Sequence, residues 1–354
     1  MLLHIFNPSH DEALAANYPY YYPSSIARRL ESEWAMLPAL WASSGDCIYV
    51  SQDLSAAETA DWSRTFPDVS FVRQHDLTPN LWKQINGIKP WGWDSLLRLR
   101  LRKMGAPESL LPSERDLCQL RQLSSRQTTT TLLPLLRQQL EELGIPTVGE
   151  SIVVHSKDEW DECLHKWSKL IVKSLWSCSG RGVFRVLDSP TVSDTGRMQR
   201  LIRDQGGVEV EPLLLPVVTN FALEFILRAD GVVHYEGVSL FSASESGMYA
   251  GNILASQTAL RQKIEESLGR TGWLEMVTRV CCEILTHHLA GCIPGPLGID
   301  MLITQTSEGM RLLPCVEVNL RHTMGHAALA LWKSSFPVSN LPKALQSLWH
   351  TSYL

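Results

Sequence analysis

The stretch LPCVEVNLRHTMGH, residues 313–326, places Glu317, Asn319 and Arg321 two residues apart, with Val316, Val318 and Leu320 around them. A β-strand sends successive side chains to opposite faces. Read as a strand, residues 315–321 point the three apolar side chains into a core and the three polar ones into one place. A solvated strand face is the plain alternative for such a pattern. The residue types point further. An acid and an amide offer oxygen ligands to a hard cation, and a guanidinium grips phosphate or carboxylate.

Two more stretches could join this chemistry. LGIDMLI, residues 297–303, holds Asp300 between Ile299 and Met301. A carboxylate in such a strand is costly unless it is paired, accepts backbone donors or coordinates a cation. The polar turn QTSEGM joins this strand to the first stretch, and an antiparallel pair would set Asp300 beside Glu317. Adjacent carboxylates repel, and a divalent cation between them resolves the conflict. Mg²⁺ takes a few carboxylates plus phosphate oxygens and water, and Asn319 can add a carbonyl oxygen. LIVKSLWSCSGRGV, residues 170–183, ends an apolar run on Lys173 and continues through Ser177, Ser179, Gly180, Arg181 and Gly182. A glycine-rich hairpin exposes N–H groups that suit a phosphate, and the lysine adds a point charge. The GxxxxGK[ST] phosphate loop is absent, and a surface hairpin is the alternative reading of equal standing.

The elements that must position these residues follow from periodicity and punctuation. Residues 2–6, DCIYVS and VSFVR read as strands alternating with a helix over SSIARRLESEWAMLPALWASS, capped by Ser24 or Ser25, which predicts a small parallel α/β domain over roughly 1–90. NPSHDEALAANYPYYYPSS reads as a polar loop. Asp94 or Ser95 caps the next helix. Residues 113–143 read as helical, with Pro134 kinking or restarting the helix and Gly144 stopping it. A strand and a helix capped near Ser156 follow. Lys173 then sits in a β-hairpin, and ADG is a tight hairpin turn. WLEMVTRVCCEILTHHL is an amphipathic helix, and 338–350 reads as a closing helix. These elements divide the chain at 1–112, 113–206 and 207–354.

Composition removes several functions. The chain has 354 residues, 44% apolar and 19% charged, with a net charge of −5. No basic field exists to hold nucleic acid or an anionic membrane. No apolar run reaches the roughly 18 residues of a membrane span. The start, MLLHIFNPSHDEALA, does not read as a signal peptide, because its apolar part is short and Asp11 and Glu12 follow at once. The eight cysteines are scattered with no CxxC pair, so they read as reduced core thiols in a cytoplasmic protein. His287 and His288 read as a wet helix end.

Taken in order, Lys173 with SGRGV, then VEVEPLL, LGIDMLI and CVEVNLR, the chain resembles the ATP-grasp superfamily over about residues 118–330. The resemblance implies an α/β (α+β) fold in which two α+β subdomains hold ATP between them, preceded by a small parallel α/β domain. It implies that Lys173 contacts the α- and β-phosphates and that Gly180, Arg181 and Gly182 form the mobile loop over them. Glu211 and Leu214 match the adenine hinge. Glu224 matches the ribose acid, with Glu209 as its competitor. Asp300, Glu317 and Asn319 match the Mg²⁺ ligands, and Arg321 a position facing the transferred phosphate or an acyl-phosphate. The chain also departs from the pattern. Arg126 stands where a second phosphate-binding lysine is usual, LLPVVTNFA lengthens the path from Glu211 to Glu224, and HTMGH fits no pattern. His322 and His326 either face a substrate or cover the strand end.

The activity so implied is an ATP- and Mg²⁺-dependent ligase that joins a carboxylate to an amine or other nucleophile through an acyl-phosphate, releasing ADP and phosphate. Lys173 and Arg321 are its expected catalytic residues. A kinase-like phosphoryl transferase and a non-catalytic nucleotide-binding module are the alternatives. The expected partners are small-molecule carboxylates and amines, and Asn7, His10, Asp11, Tyr20 and Trp93 are candidate lining residues. A homodimer is the default assembly.

Overall fold

LLHI at residues 2–5 is too short and too apolar for a half-exposed strand, and the structure buries it between parallel neighbours. The computed structural model describes residues 1–51, 54–177, 182–244, 249–334, 336–341 and 343–350. In chain order the strands are β1 (Leu2–Ile5), β2 (Cys47–Tyr49), β3 (Ser70–Val72), β4 (Gly87–Pro90), β5 (Ile152–Val154), β6 (Leu170–Ser174) and β7 (Val183–Val186). There follow β8 (Val208–Pro212), β9 (Val217–Leu227), β10 (Val233–Ala243), β11 (Tyr249–Ile253), β12 (Gly295–Thr306), β13 (Gly309–Asn319) and β14 (Trp349–His350). The chain forms two units. One holds Met1–Arg121, Gly251–Leu254 and the described residues from Arg321 onward; the other holds Gln122–Ala250 and Ala255–Leu320.

The first unit carries the expected parallel sheet, in the order β3-β2-β1-β4. One face buries Leu3, Ile5, Val72 and Ile88 against Leu97 and Leu101 of the helix Ser95–Lys103. A second cluster packs Phe6, Leu37, Leu40 and Trp91 with Ala327, Ala328 and Leu331 of the helix Met324–Ser334. The C-terminal segment therefore supplies one wall of this core. Ser24 caps the helix Ser25–Glu33 by accepting from Ala27 N at 3.2 Å, and Asp94 caps Ser95–Lys103 by accepting from Leu97 N at 2.8 Å.

Three expectations are corrected. The supposed loop after β1 contains a helix, His10–Ala16. Asp11 and Glu12 in its first turn favour a helix N-terminus, Ala13–Ala16 are good helix formers, and Asn17 closes it at φ 49°. Pro134 does not restart the helix, which runs on as Gln127–Glu142. Leu132, Leu133, Leu136 and Leu140 are buried along it, and that packing outweighs the roughly 3 kcal/mol cost of an interior proline. The closing helix is instead a 3-10 turn at Val338–Asn340, a single turn at Lys343–Gln346 and β14. Leu341, Leu345 and Trp349 are buried four residues apart, which is why the sequence mimics one helix there.

The second unit holds two antiparallel sheets. β5-β8-β6-β7 packs Val154, Val172 and Val210 against Trp160 and Met198 of the helices Lys157–Lys166 and Val192–Gln205. The hairpin β6–β7 is the expected one around Lys173. β13-β12-β9-β10 packs with Gln257–Leu268 and Trp273–His288, and Phe221 meets Trp273 edge-on at 6.2 Å. No helix among the described residues is long and apolar enough to cross a membrane.

Candidate functional site

The site is built first by strand register. Asp300 stands directly opposite Glu317, and Gly298 opposite Asn319. Across β9 the same two residues oppose Ala222 and Glu224, which in turn oppose Ser239 and Gly237 on β10. Opposed residues share a face, so Glu317–Asp300–Ala222–Ser239 form one row and Asn319–Gly298–Glu224–Gly237 the next. Ala222 and Gly298 are small and leave room between the polar groups. The other face carries Leu223, Phe225, Val238, Leu240, Ile299, Met301 and Val318, all buried. The alternation around Glu317 thus places oxygen-bearing groups together over an apolar floor. Ser239 Oγ donates to Glu224 Oε1 at 2.9 Å. Sequence reading missed Ser239, although it is a polar residue between Val238 and Leu240 in a strand of the same period.

The second sheet contributes the charges. Lys173 is buried on β6; its Nζ lies 2.7 Å from Glu211 Oε2 and 3.6 Å from Glu209 Oε2, and it donates to Val316 O at 3.2 Å. That last bond ties the lysine to the residue beside Glu317. Burial disfavours the Lys173 ammonium, but Glu209 and Glu211 outweigh it and raise its pKa. Glu209 is fully buried and accepts from Ser151 Oγ at 2.7 Å. Burial drives its pKa up to about 8; Lys173 and Arg126 pull it down while Glu211 pushes it further up. Glu209 Oε2 and Glu211 Oε1 are buried without a hydrogen-bond partner.

Arg126 joins the two sheets. It precedes the helix Gln127–Glu142, and its N–H donates to Leu175 O at 2.9 Å. Nη1 donates to Ser174 O at 2.6 Å and Ser177 Oγ at 2.7 Å, and Nη2 donates to Glu317 Oε1 at 2.8 Å. Its Nε is 3.9 Å from Glu209 Oε2. The side chain is only 4% exposed, whereas Glu317 is 27% exposed.

The remaining expected residues are distributed as follows. Gly182 starts the return of the hairpin at φ 75°, and a Cβ there would lie 2.3 Å from Ser174 Oγ. Gly180 and Arg181 lie outside the described residues. Leu214 is half-buried just after β8. Glu209 and Glu224 part company: Glu224 shares the sheet face of Asp300, and Glu209 lies beneath Lys173. Arg321 belongs to the first unit, where Nε and Nη2 grip both oxygens of Asp11 at 3.0–3.1 Å. In that unit His322 stacks on Trp41 at 4.8 Å with Nδ1 3.3 Å from Pro90 O, and burial holds its pKa well below the usual value. His326 Nδ1 accepts from Thr323 N at 3.2 Å. Asn7 donates to Gly92 O, and His10 Nδ1 lies 3.3 Å from Asp94, both deep in the first unit. Tyr20 is exposed, with Lys103 over its ring at 5.3 Å, and Trp93 flanks the first core. None of the seven described cysteines is in a disulfide.

The donor set fits a hard divalent cation with phosphate oxygens. Asp300, Glu317 and Asn319 offer oxygens only, on one face. Among the described residues no three His, Cys, Asp or Glu side chains gather as a metal cage. Mg²⁺ is commonly held by one or two carboxylates and completes its shell from phosphate and water. Glu209 and Glu211 lie beside Lys173, and Glu209 and Glu317 beside Arg126.

No family model matches this chain, and no curated protein matches it in sequence. Solved structures do match in shape. Biotin carboxylase from Campylobacter jejuni, in a β-γ-ATP complex, is 12% identical with a TM-score of 0.51, covering 99% of this chain and 72% of its own. N5-carboxyaminoimidazole synthetase from Staphylococcus aureus with ADP is 11% identical at TM-score 0.45, covering 99% and 78%. D-alanyl-alanine synthetase A from Vibrio cholerae is 14% identical at 0.44, covering 88% and 96%.

Proposed function

This chain has the ATP-grasp fold, and from that premise we propose that it is an ATP-dependent ligase that joins a carboxylate to an amine or other nucleophile, with ADP and phosphate released. The observation that carries the reading is the register pair Asp300–Glu317, with Asn319 and Glu224 on the same face and Lys173 bonded to the carbonyl of Val316. Catalysis of this class is mainly positioning and charge neutralisation. Asp300, Glu317 and Asn319 would hold Mg²⁺, whose chemistry is to neutralise charge on the β- and γ-phosphates. Lys173 and Arg126 place positive charge for the α- and β-phosphates, with Gly180, Arg181 and Gly182 as the covering loop. Glu211 and Leu214 border the adenine, and Glu224 accepts from the ribose hydroxyls. No side chain serves as a covalent nucleophile, and the free thiols fit a cytoplasmic protein.

The test is a screen of ATP and Mg²⁺ with paired acceptors drawn from amino acids and dipeptides, reading ADP and free phosphate. Phosphate release that requires both acceptors, and that Glu317→Ala abolishes in a folded protein, supports ligation. A stable phosphorylated product in place of free phosphate contradicts it. Tight ATP binding with no ADP formed on any pair contradicts an enzyme.

A further inference from the structure

We infer that Arg126 is a positioning residue for Glu317 whose guanidinium competes with a metal for that carboxylate, so that metal and nucleotide load together. The inference rests on the proposed nucleotide site. The guanidinium divides its work. Nη1 grips the β6–β7 hairpin through Ser174 O and Ser177 Oγ, while Nη2 alone reaches Glu317 Oε1, at 2.8 Å. The two halves are separable: Glu317 can leave without loosening the hairpin. Glu317 is the exposed member of the pair, and the guanidinium is the buried one. A buried cation keeps a counter-charge at hand, and Glu317 is the nearer and more exposed of the two acids beside this guanidinium, with Glu209 Oε2 at 3.9 Å.

A divalent cation that approaches Asp300 and Glu317 alone must share Glu317 with this guanidinium, and two cations on one carboxylate repel. A nucleotide changes the balance. Its phosphates offer Nη2 new oxygen acceptors of the same sign, and Arg-to-phosphate bonds are at least as strong as the bond given up. Glu317 is then released to the metal. Arg126 thereby couples the two ligands, and a lysine could not do so in the same way, since one nitrogen cannot span the hairpin and the carboxylate.

The test measures Mn²⁺ alone, by electron paramagnetic resonance of free Mn²⁺, on the full chain without nucleotide. Arg126→Gln is expected to bind Mn²⁺ about tenfold more tightly than wild type, within the 5–150-fold usual for coupled sites. A residue that only braced the fold would not tighten metal binding when removed. Arg126→Lys keeps the charge and serves if the glutamine variant does not fold; a smaller gain is expected from it. Unchanged Mn²⁺ affinity in the folded variants overturns the inference. Titration of wild type with MgADP separates this failure from that of the nucleotide site: binding of MgADP with unchanged Mn²⁺ affinity sinks only the latch. Absence of MgADP binding sinks the site itself, and with it the release step.

Discussion

Lys173 Nζ lies 2.7 Å from Glu211 Oε2, with both side chains buried and Glu209 Oε2 a further 3.6 Å contact of the same ammonium. One ammonium therefore sits against two buried acids. Removing one partner of a buried pair leaves an uncompensated charge, typically about 3–5 kcal/mol. Lys173→Met should lower unfolding stability by that order in denaturant titrations. Adding Glu209→Gln and Glu211→Gln should recover most of it. A loss from Lys173→Met below about 1 kcal/mol would show that the ammonium is not the counter-charge.

Glu209 also sets a pH dependence. Its pKa rises from 4.5 to about 8 in the fold, chiefly through burial. Between those values the native chain keeps a proton that the unfolded chain has lost. Stability tied to this group is therefore full below about pH 4.5 and falls as pH rises toward 8. Glu209→Gln should flatten that slope in unfolding experiments across the window. An unchanged slope would mean that another group titrates.

Gly182 has no room for a side chain. At φ 75° any other residue pays backbone strain, and its Cβ would meet Ser174 Oγ at 2.3 Å. Gly182→Ala should cost about 1–3 kcal/mol. Adding Ser174→Ala should return the steric part and leave the backbone part. Full recovery in the double variant would remove the conformational argument.

Asp11 and Arg321 make a two-point pair inside the first unit. A lysine cannot reproduce the fork. A double-mutant cycle with Asp11→Asn and Arg321→Lys should give a coupling of about 1–3 kcal/mol. A coupling near zero would class the contact with ordinary surface pairs.

The register of the site was legible because two period-2 strands joined by a short turn allow few alternatives. Asp300 opposite Glu317 follows from the pattern of residues 297–321, and Gly182 and Lys173 follow from the hairpin. What could not be read is long-range. Arg126 reaches Glu317 across 191 residues, and nothing local marks that distance. Glu209 reads as one acid of VEVEPLL, and its burial beneath Lys173 depends on how two strands align. The helix His10–Ala16 did have a signal, acids followed by alanines, but the prolines and tyrosines around it outweighed that signal. Residues after Leu320 leave the second unit for the core of the first, a change of allegiance that no composition shift announces.

The metal site can be tested most directly by calorimetric titration of ADP with and without Mg²⁺ on wild type and Asp300→Asn. This substitution keeps the size of the side chain and leaves the Arg126–Glu317 bond in place. Wild type should bind ADP more tightly with Mg²⁺ present, and Asp300→Asn should lose that gain by about tenfold or more while keeping the wild-type circular dichroism spectrum. An identical Mg²⁺-dependent gain in both proteins would contradict a shared magnesium between Asp300 and Glu317.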